Sequence, residues 1–259
     1  ILSATHPGGE RIQIVIPPAT LKETVSITIR RPSSVDFTLD DLEKRNFSAD
    51  TRAVGARHPS DNEGLRALYL AGRFKDFLRQ SVVARKNIVI SGATGSAKTT
   101  LSKALIKHIP DNERIISIED TPELVIPQPN NVRLFYSKDR QGLSEIGPKE
   151  LLESSLRMRP DRILLQELRD GTAFYYIRNV NSGHPGSITT VHADSVALAF
   201  EQLALLNKES KAGGDLKRTE ILNLLKASID VVVQCERSGG AFRAAELYFR
   251  GHGSVPMDH

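Results

Sequence analysis

Hydrophobic and polar positions alternate near the start of the chain, which is the period of a β-strand. Residues 11–16 and 25–30 are short β-branched runs on either side of a Pro-Pro pair, and they predict two paired strands. Pro32 ends the second run, because proline cannot continue a strand ladder. The chain begins without methionine inside what has the pattern of a strand. We therefore expect a preceding segment, with residues 1–35 as the C-terminal part of a small α+β N-terminal domain.

The next stretch is polar and irregular from residue 36 to residue 63, and it predicts a linker. Thr38 followed by DDLEKR predicts a short capped helix. Apolar residues from Leu65 to Leu78 recur at helical spacing. We interpret residues 36–80 as a linker with helices. Its length would allow the N-terminal domain to pack against its own chain or against a neighbouring copy.

Strands and helices alternate from Asn87 onward, and this pattern predicts a mostly parallel sheet covered on both faces. The predicted strands are 87–92, 114–120, 162–168, 188–193, 229–237 and 245–250, and the predicted helices are 98–109, 151–160 and 196–206. Residues 81–259 are therefore predicted to form one α/β domain.

Composition narrows the class of protein only slightly. The chain is 39% hydrophobic and 25% charged, as in ordinary globular proteins, and no apolar run approaches the roughly 18 to 20 residues that span a bilayer. The single cysteine, Cys235, fits a reducing compartment. A net charge of +4 leaves nucleic acid or an anionic membrane open as partners. Solvated surface charge is the favoured interpretation, because the chain has no tryptophan for base stacking.

The strongest chemical signal is the segment GATGSAKT, which follows an apolar strand and opens a helix. That is the context of a P-loop, in which backbone N–H groups and a helix N-terminus surround phosphates. Lys98 would reach the β and γ phosphates of ATP, and the Thr99 hydroxyl would bind Mg²⁺. The positions assigned to nucleotide binding in this segment are Gly92, Thr94, Gly95, Ser96, Ala97, Lys98, Thr99 and Thr100.

Ala97 departs from the P-loop pattern, because glycine usually precedes the lysine. A methyl group there restricts the backbone angles and approaches the phosphates. We expect this change to affect the rate of turnover more than the fold. A loop that binds nucleotide without hydrolysing it is an open alternative.

Two acidic segments follow predicted strands, and hydrolysis needs such groups to place Mg²⁺ and the attacking water. Because parallel strands end at one crevice, both segments should face the P-loop. Glu167 is predicted to hold Mg²⁺ or its water shell, and Glu123 to orient the attacking water. Glu119 is the alternative for the second role.

Histidines and arginines supply further candidates. His184 and His192 lie eight residues apart around a predicted strand, and we interpret the segment as a sensor of the γ-phosphate. A turn cap is the alternative for His184, and zinc is disfavoured because no cysteine lies nearby. The residues alone do not choose among the arginines suited to phosphate contact, which are Arg11, Arg30, Arg157, Arg159 and Arg169.

Four segments occur in a distinctive order: GATGSAKTT, RIISIEDTPEL, SLRMRPDRILLQELRD and SGHPGSITTVHADS. They resemble the Walker A, Asp, Walker B and His boxes of the secretion ATPase superfamily. The upstream GERIQIVIPP and SITIRRPS resemble the end of the N-terminal domain in traffic ATPases of bacterial type IV secretion and conjugation systems. The similarity extends from about Ile1 to Leu206.

The resemblance implies a RecA-like ATPase domain in a homo-hexamer, with nucleotide held between the two domains. It also implies ATP and Mg²⁺ as cofactors, other inner-membrane secretion components as partners, and a peripheral place at the cytoplasmic face of the inner membrane. The residues that match the family's motifs are Arg11, Arg30, Lys98, Thr99, Glu123, Arg159, Glu167, His184 and His192. Gln166 and Ala97 depart from it, since glycine is commoner at both positions.

Three other functions stay open beside a motor for substrate transfer or pilus assembly. A type II secretion or type IV pilus motor belongs to the same superfamily. Such motors often carry a cysteine-based zinc module, and the single cysteine argues against one here. A RecA-like nucleic-acid motor would show DNA-stimulated, salt-dependent hydrolysis. A nucleotide-binding scaffold would bind ATP without turnover.

Overall fold

The computed structural model describes residues 1–32, 37–47, 49, 62–137, 146–181, 183–210 and 213–252. The strands are β1 (Leu2–Thr5), β2 (Arg11–Val15), β3 (Ser26–Arg30), β4 (Ile88–Ser91), β5 (Ile115–Glu119), β6 (Asn131–Phe135), β7 (Arg162–Leu165), β8 (Ile188–Val191), β9 (Val231–Ser238) and β10 (Ala241–Phe249). The helices are α1 (Leu39–Glu43), α2 (Glu63–Leu70), α3 (Phe74–Val83), α4 (Lys98–Ile106), α5 (Pro148–Ser155), α6 (Thr172–Asn181), α7 (Val196–Lys208) and α8 (Arg218–Ser228). None of these helices is long and apolar enough to cross a membrane.

The first three strands form a small antiparallel sheet in the order β1-β2-β3. This confirms the predicted pairing of the two early strands. The sheet is attached to the rest of the chain, because Val15 and Ala19 are buried in the main hydrophobic core. The Phe135 N–H also donates to the Ala19 carbonyl at 3.1 Å, beside a bridge between Thr20 and Leu134.

The larger sheet consists of two half-sheets, β10-β9-β4-β8 and β6-β5-β7. All pairings in them are parallel except that of β10 with β9. A parallel bridge between Glu167 and Thr190 joins the two halves, and the Leu168 N–H donates to the Thr190 carbonyl at 2.8 Å. The predicted α/β class with a mainly parallel sheet is confirmed.

Helices cover both faces of this sheet, with one hydrophobic core on each face. Successive residues of a strand point to opposite faces and so pack into different cores. Val89 packs into the core that lies under α5, α6, α7 and α8. Its neighbours Ile88 and Ile90 pack into the core under α2, α3 and α4. The central strands are therefore buried on both sides, which explains their continuous apolar runs.

The structure changes several predicted elements. The predicted strand 162–168 ends at Leu165, where the chain turns toward the cleft described below. The elements β6, α6 and α8 were not predicted. In α6 the signal was present, since Ala173, Tyr176, Ile177 and Val180 recur at helical spacing.

The predicted capped helix at Thr38 is confirmed, because the Thr38 hydroxyl accepts from the Asp41 N–H at 3.2 Å. Much of the predicted linker (36, 48 and 50–61) lies outside the described residues, and so does the predicted boundary at residue 35.

A buried ion pair lies at the amino ends of the strands. The guanidinium of Arg162 is fully buried and donates to both oxygens of Glu113, at 2.6 and 2.9 Å. It also donates to the Gly186 carbonyl at 3.3 Å, just before β8. Because a buried arginine needs its partners, this contact fixes the spacing of β7 and β8 at this end.

Gly186→Ala should destabilise the protein more than Gly183→Ala. Both glycines have positive φ, +89° and +94°, so alanine costs about 1 kcal/mol at either one. At Gly186 the added methyl would also meet Arg162 Nη1 at 2.6 Å, whereas nothing lies within 4 Å at Gly183. We expect roughly 2 kcal/mol of additional loss at Gly186, measured by urea unfolding. Equal losses would contradict this account of the Arg162 contact.

Candidate functional site

The predicted P-loop connects the end of β4 to the start of α4 and has the backbone that phosphate binding requires. Gly92, Gly95 and Ala97 all have positive φ, at +150°, +75° and +69°. A side chain at Gly92 would collide with the Cys235 carbonyl and the Ser96 hydroxyl. Glycine is therefore required at residue 92. Ala97 takes the left-handed conformation as the N-cap of α4, at the position where the motif commonly has glycine.

Lys98 lies over this loop. Its ammonium donates to the Gly92 carbonyl at 2.6 Å and to the Ala93 carbonyl at 2.9 Å. The His192 Nδ1 atom lies 3.3 Å from the same ammonium. Burial lowers the pKa of Lys98, and the charge of Glu167 opposes that shift. Neutral carbonyls thus hold the side chain beside the loop. Phosphate oxygens can take the place of these carbonyls and would form stronger, charge-assisted hydrogen bonds with the ammonium.

Glu167 lies at the bridge between the half-sheets, opposite Thr190. Its Oε2 atom accepts a short hydrogen bond from Arg169, which also donates to Asp120 Oδ2 at 3.0 Å. The Oε1 atom lies 3.0 Å from His192 Nε2 but is buried without an aligned hydrogen-bond donor among the described residues. His192 is the polar neighbour of this oxygen.

The two glutamates of the Asp box have different environments. Glu119 is fully buried, and Arg133 donates to both of its oxygens, at 2.9 and 2.7 Å. It also accepts from the N–H groups of Glu123 and Leu124. Glu119 therefore orders the loop and has no oxygen to offer a water. The Glu123 carboxylate is exposed and accepts from Gln166 Nε2 at 2.9 Å.

These groups line one cleft of about 310 Å³. Its walls are Thr94, Gly95, Ser96, Ala97, Lys98, Thr99, Thr100, Asp120, Thr121, Glu123, Gln166, Glu167, Arg169, Thr190 and His192. The structure thus brings together the predicted P-loop residues other than Gly92 with Glu123, Glu167 and His192. The sequence analysis did not assign Asp120, Thr121 or Thr190 to the site, although the first two lie at the end of a predicted strand and Thr190 lies within one.

Mg²⁺ fits the oxygen ligands of this cleft. The Thr99 hydroxyl and the Glu167 carboxylate are hard oxygen ligands of the kind that Mg²⁺ prefers. Arg169 has its pKa raised by its hydrogen bond to Glu167, so it stays positively charged beside them. Burial raises the pKa of the adjacent Tyr136 to about 12, so that phenol stays neutral.

Other predicted residues lie at the opposite edge of the sheet. His184 Nδ1 is 3.0 Å from the Pro160 carbonyl, before β8 begins, so β8 separates it from His192. Arg159 directly precedes Pro160 at this edge and has φ of +53°. Within one chain, the structure does not bring His184 or Arg159 to the P-loop.

Arg11 and Arg30 also lie away from the P-loop. They face each other across β2 and β3 and line a second cleft, of about 390 Å³, together with Arg157. Thr28, two residues before Arg30, lies 3.4 Å from the Arg114 guanidinium at the amino end of β5. The two clefts have no lining residue in common.

Comparison with known proteins shows the family of this chain. The family described as "Type II/IV secretion system protein" matches residues 3–237. The chain belongs to this family. It is 60% identical over 260 residues to the type IV secretion system protein VirB11 of Bartonella quintana, covering 96% of this chain and 73% of that protein. It is 43% identical over 251 residues to the VirB11 protein of Agrobacterium fabrum, covering 95% and 73%.

Solved structures agree with this membership. The VirB11 ATPase of the Brucella suis type IV secretion system, in complex with sulphate, matches with a TM-score of 0.90 and 43% identity, over 96% of this chain and 74% of that one. The pilus retraction motor PilT with bound ADP matches with a TM-score of 0.50 and 19% identity, over 96% of this chain and 62% of that one. This similarity shows the fold alone. The predicted RecA-like fold and the resemblance to type IV secretion traffic ATPases are confirmed.

Ala97→Gly should stabilise the protein by about 1 kcal/mol, because it relieves a left-handed alanine. Gly95→Ala is the matched control, since it creates the same strain at φ +75° in open space. It should therefore lower the free energy of unfolding by a similar amount. Urea unfolding measures both variants. A loss of stability in Ala97→Gly would contradict the strain inferred at this position.

Proposed function

We propose that this chain is an ATP hydrolase that energises substrate transfer or pilus assembly in a type IV secretion or conjugation system. The observation that carries the proposal is the single cleft in which Lys98, Thr99, Glu123, Glu167 and His192 meet. The similarity to VirB11 proteins supports the type IV system over a type II or pilus motor.

The loop and Lys98 would bind the phosphates. Backbone N–H groups around Gly95 and the N-terminus of α4 favour negative charge, and the ammonium would exchange loop carbonyls for phosphate oxygens. Thr99 and Glu167 would hold Mg²⁺, which would neutralise charge on the phosphates. Arg169 holds one Glu167 oxygen, and His192 lies beside the other.

The remaining cleft residues would serve the attacking water and the γ-phosphate. Glu123 is the exposed carboxylate at the edge of the cleft, and it would orient the water. His192 lies between Lys98 and Glu167, at 3.3 and 3.0 Å. If this imidazole shifts in response to the γ-phosphate, its contacts with both Lys98 and Glu167 would therefore change.

A second copy of the chain would complete the site, and we place Arg11, Arg30 and Arg157 in that role. Their cleft has three guanidiniums, and the described residues that line it include no carboxylate. Guanidiniums in such a group suit phosphate oxygens, yet the P-loop of the same chain lies at the other edge of the sheet. A head-to-tail ring brings one edge of a subunit to the opposite edge of the next.

This ring would be a homo-hexamer in which Arg159 and His184 also face the neighbouring subunit, since they lie at the same edge as the arginine cleft. Its other partners would be inner-membrane components of the secretion system. The ring would then associate peripherally with the cytoplasmic face of that membrane.

Lys98→Ala should lower ATP turnover by about a hundredfold or more, because the main positive charge on the phosphates is lost. Lys107→Ala is the control, since Lys107 is exposed at the end of the same helix and should keep the wild-type rate. Phosphate release measures turnover, and circular dichroism checks that both variants fold. Retained hydrolysis in Lys98→Ala would rule out the P-loop assignment.

Mixing two inactive variants tests the shared site. Lys98→Ala lacks the P-loop charge, and the double variant Arg11→Ala, Arg30→Ala lacks the arginines proposed to act on a neighbour. In a head-to-tail ring, a one-to-one mixture should recover about a quarter of the wild-type rate, because that fraction of interfaces pairs two intact halves. Recovery is measured after unfolding and refolding the chains together. A mixture no more active than its components would exclude the shared site.

A further inference from the structure

Gln166 directly precedes Glu167, and its side-chain amide lines the cleft. Its backbone is fixed by both half-sheets. The Gln166 N–H donates to the Ile118 carbonyl at 3.1 Å, and the Gln166 carbonyl accepts from the Thr190 hydroxyl at 3.0 Å. The backbone that carries this side chain is therefore held from both half-sheets.

The orientation of the amide follows from chemistry. Its Nε2 atom donates to Glu123 Oε2 at 2.9 Å, and a carboxylate accepts hydrogen bonds without donating them. The Oε1 atom must then point away from Glu123. It is buried and has no donor among the described residues. The side chain therefore acts in the cleft as a hydrogen-bond donor to Glu123.

We propose that Gln166 is a positioning residue for hydrolysis, whose Nε2 donor holds the Glu123 carboxylate in the orientation that receives the proton of the attacking water. This inference rests on the proposed ATPase function. The water oxygen would bond to the γ-phosphorus as the bond to the bridging oxygen breaks. The electron pair of that bond would leave with the diphosphate, and Glu123 would take the water's proton.

The contacts of Glu123 explain why such a residue is useful. Its backbone is held by Glu119 and Thr121, at 3.1 and 2.7 Å, but its carboxylate is exposed. An exposed glutamate samples several rotamers. Restricting it to one rotamer in the transition state costs conformational entropy. The hydrogen bond from Gln166 selects one orientation in advance.

Gln166→Met tests the proposal, because methionine has a similar length and keeps the shape without donating or accepting strongly. We expect kcat for ATP to fall about tenfold, the loss of one hydrogen bond to a charged group, while KM changes less than about twofold. Gln80→Met, on the exposed side of α3, is the control and should match the wild type. An unchanged kcat, or a rise in KM alone, would overturn the proposal.

A double variant separates positioning from an indirect effect. If Gln166 acts through Glu123, then Glu123→Gln combined with Gln166→Met should be no slower than Glu123→Gln alone. Additive losses would overturn the proposal. The proposed function fails in a different way: the wild type and Lys98→Ala would then show the same background hydrolysis, whatever the residue at 166.

Discussion

The bridge between Glu167 and Thr190 is the contact on which the site depends. One half-sheet carries the P-loop after β4, and the other carries the acidic residues after β5 and β7. The Leu168 N–H and the Thr190 hydroxyl join the halves at the edge where the nucleotide would lie. At the other edge, buried Arg162 spans the gap to Gly186. The distance between loop and carboxylates is therefore set by a small number of hydrogen bonds.

Pairing of charges makes this cleft stable while it holds carboxylates close together. Arg169 bridges Glu167 and Asp120, and Gln166 holds Glu123 without adding charge. An unpaired carboxylate in such a partly buried place would be costly. Glu167 also lies beside the His192 imidazole, 3.0 Å from its Nε2 atom. The contacts that stabilise the cleft thus also position its carboxylates.

The sequence predicted the parts of the site that depend on local order, and it failed where distant elements meet. Strand, loop and helix are contiguous at Lys98, so the P-loop could be recognised directly. Glu167 follows a strand end and was placed correctly in the cleft by the rule for parallel sheets. His184 was grouped with His192, but β8 runs between them and carries them to opposite edges. The partnership of Gln166 with a glutamate 43 residues away left no periodic signal.

We propose that the P-loop edge of one chain meets the arginine edge of another in a closed ring. Light scattering of the wild-type protein with Mg²⁺ and a slowly hydrolysed ATP analogue tests it most directly. We expect a particle of about six times the chain mass of 28.5 kDa, formed or strengthened by the nucleotide. A single-chain particle that still hydrolyses ATP at full rate would contradict the account.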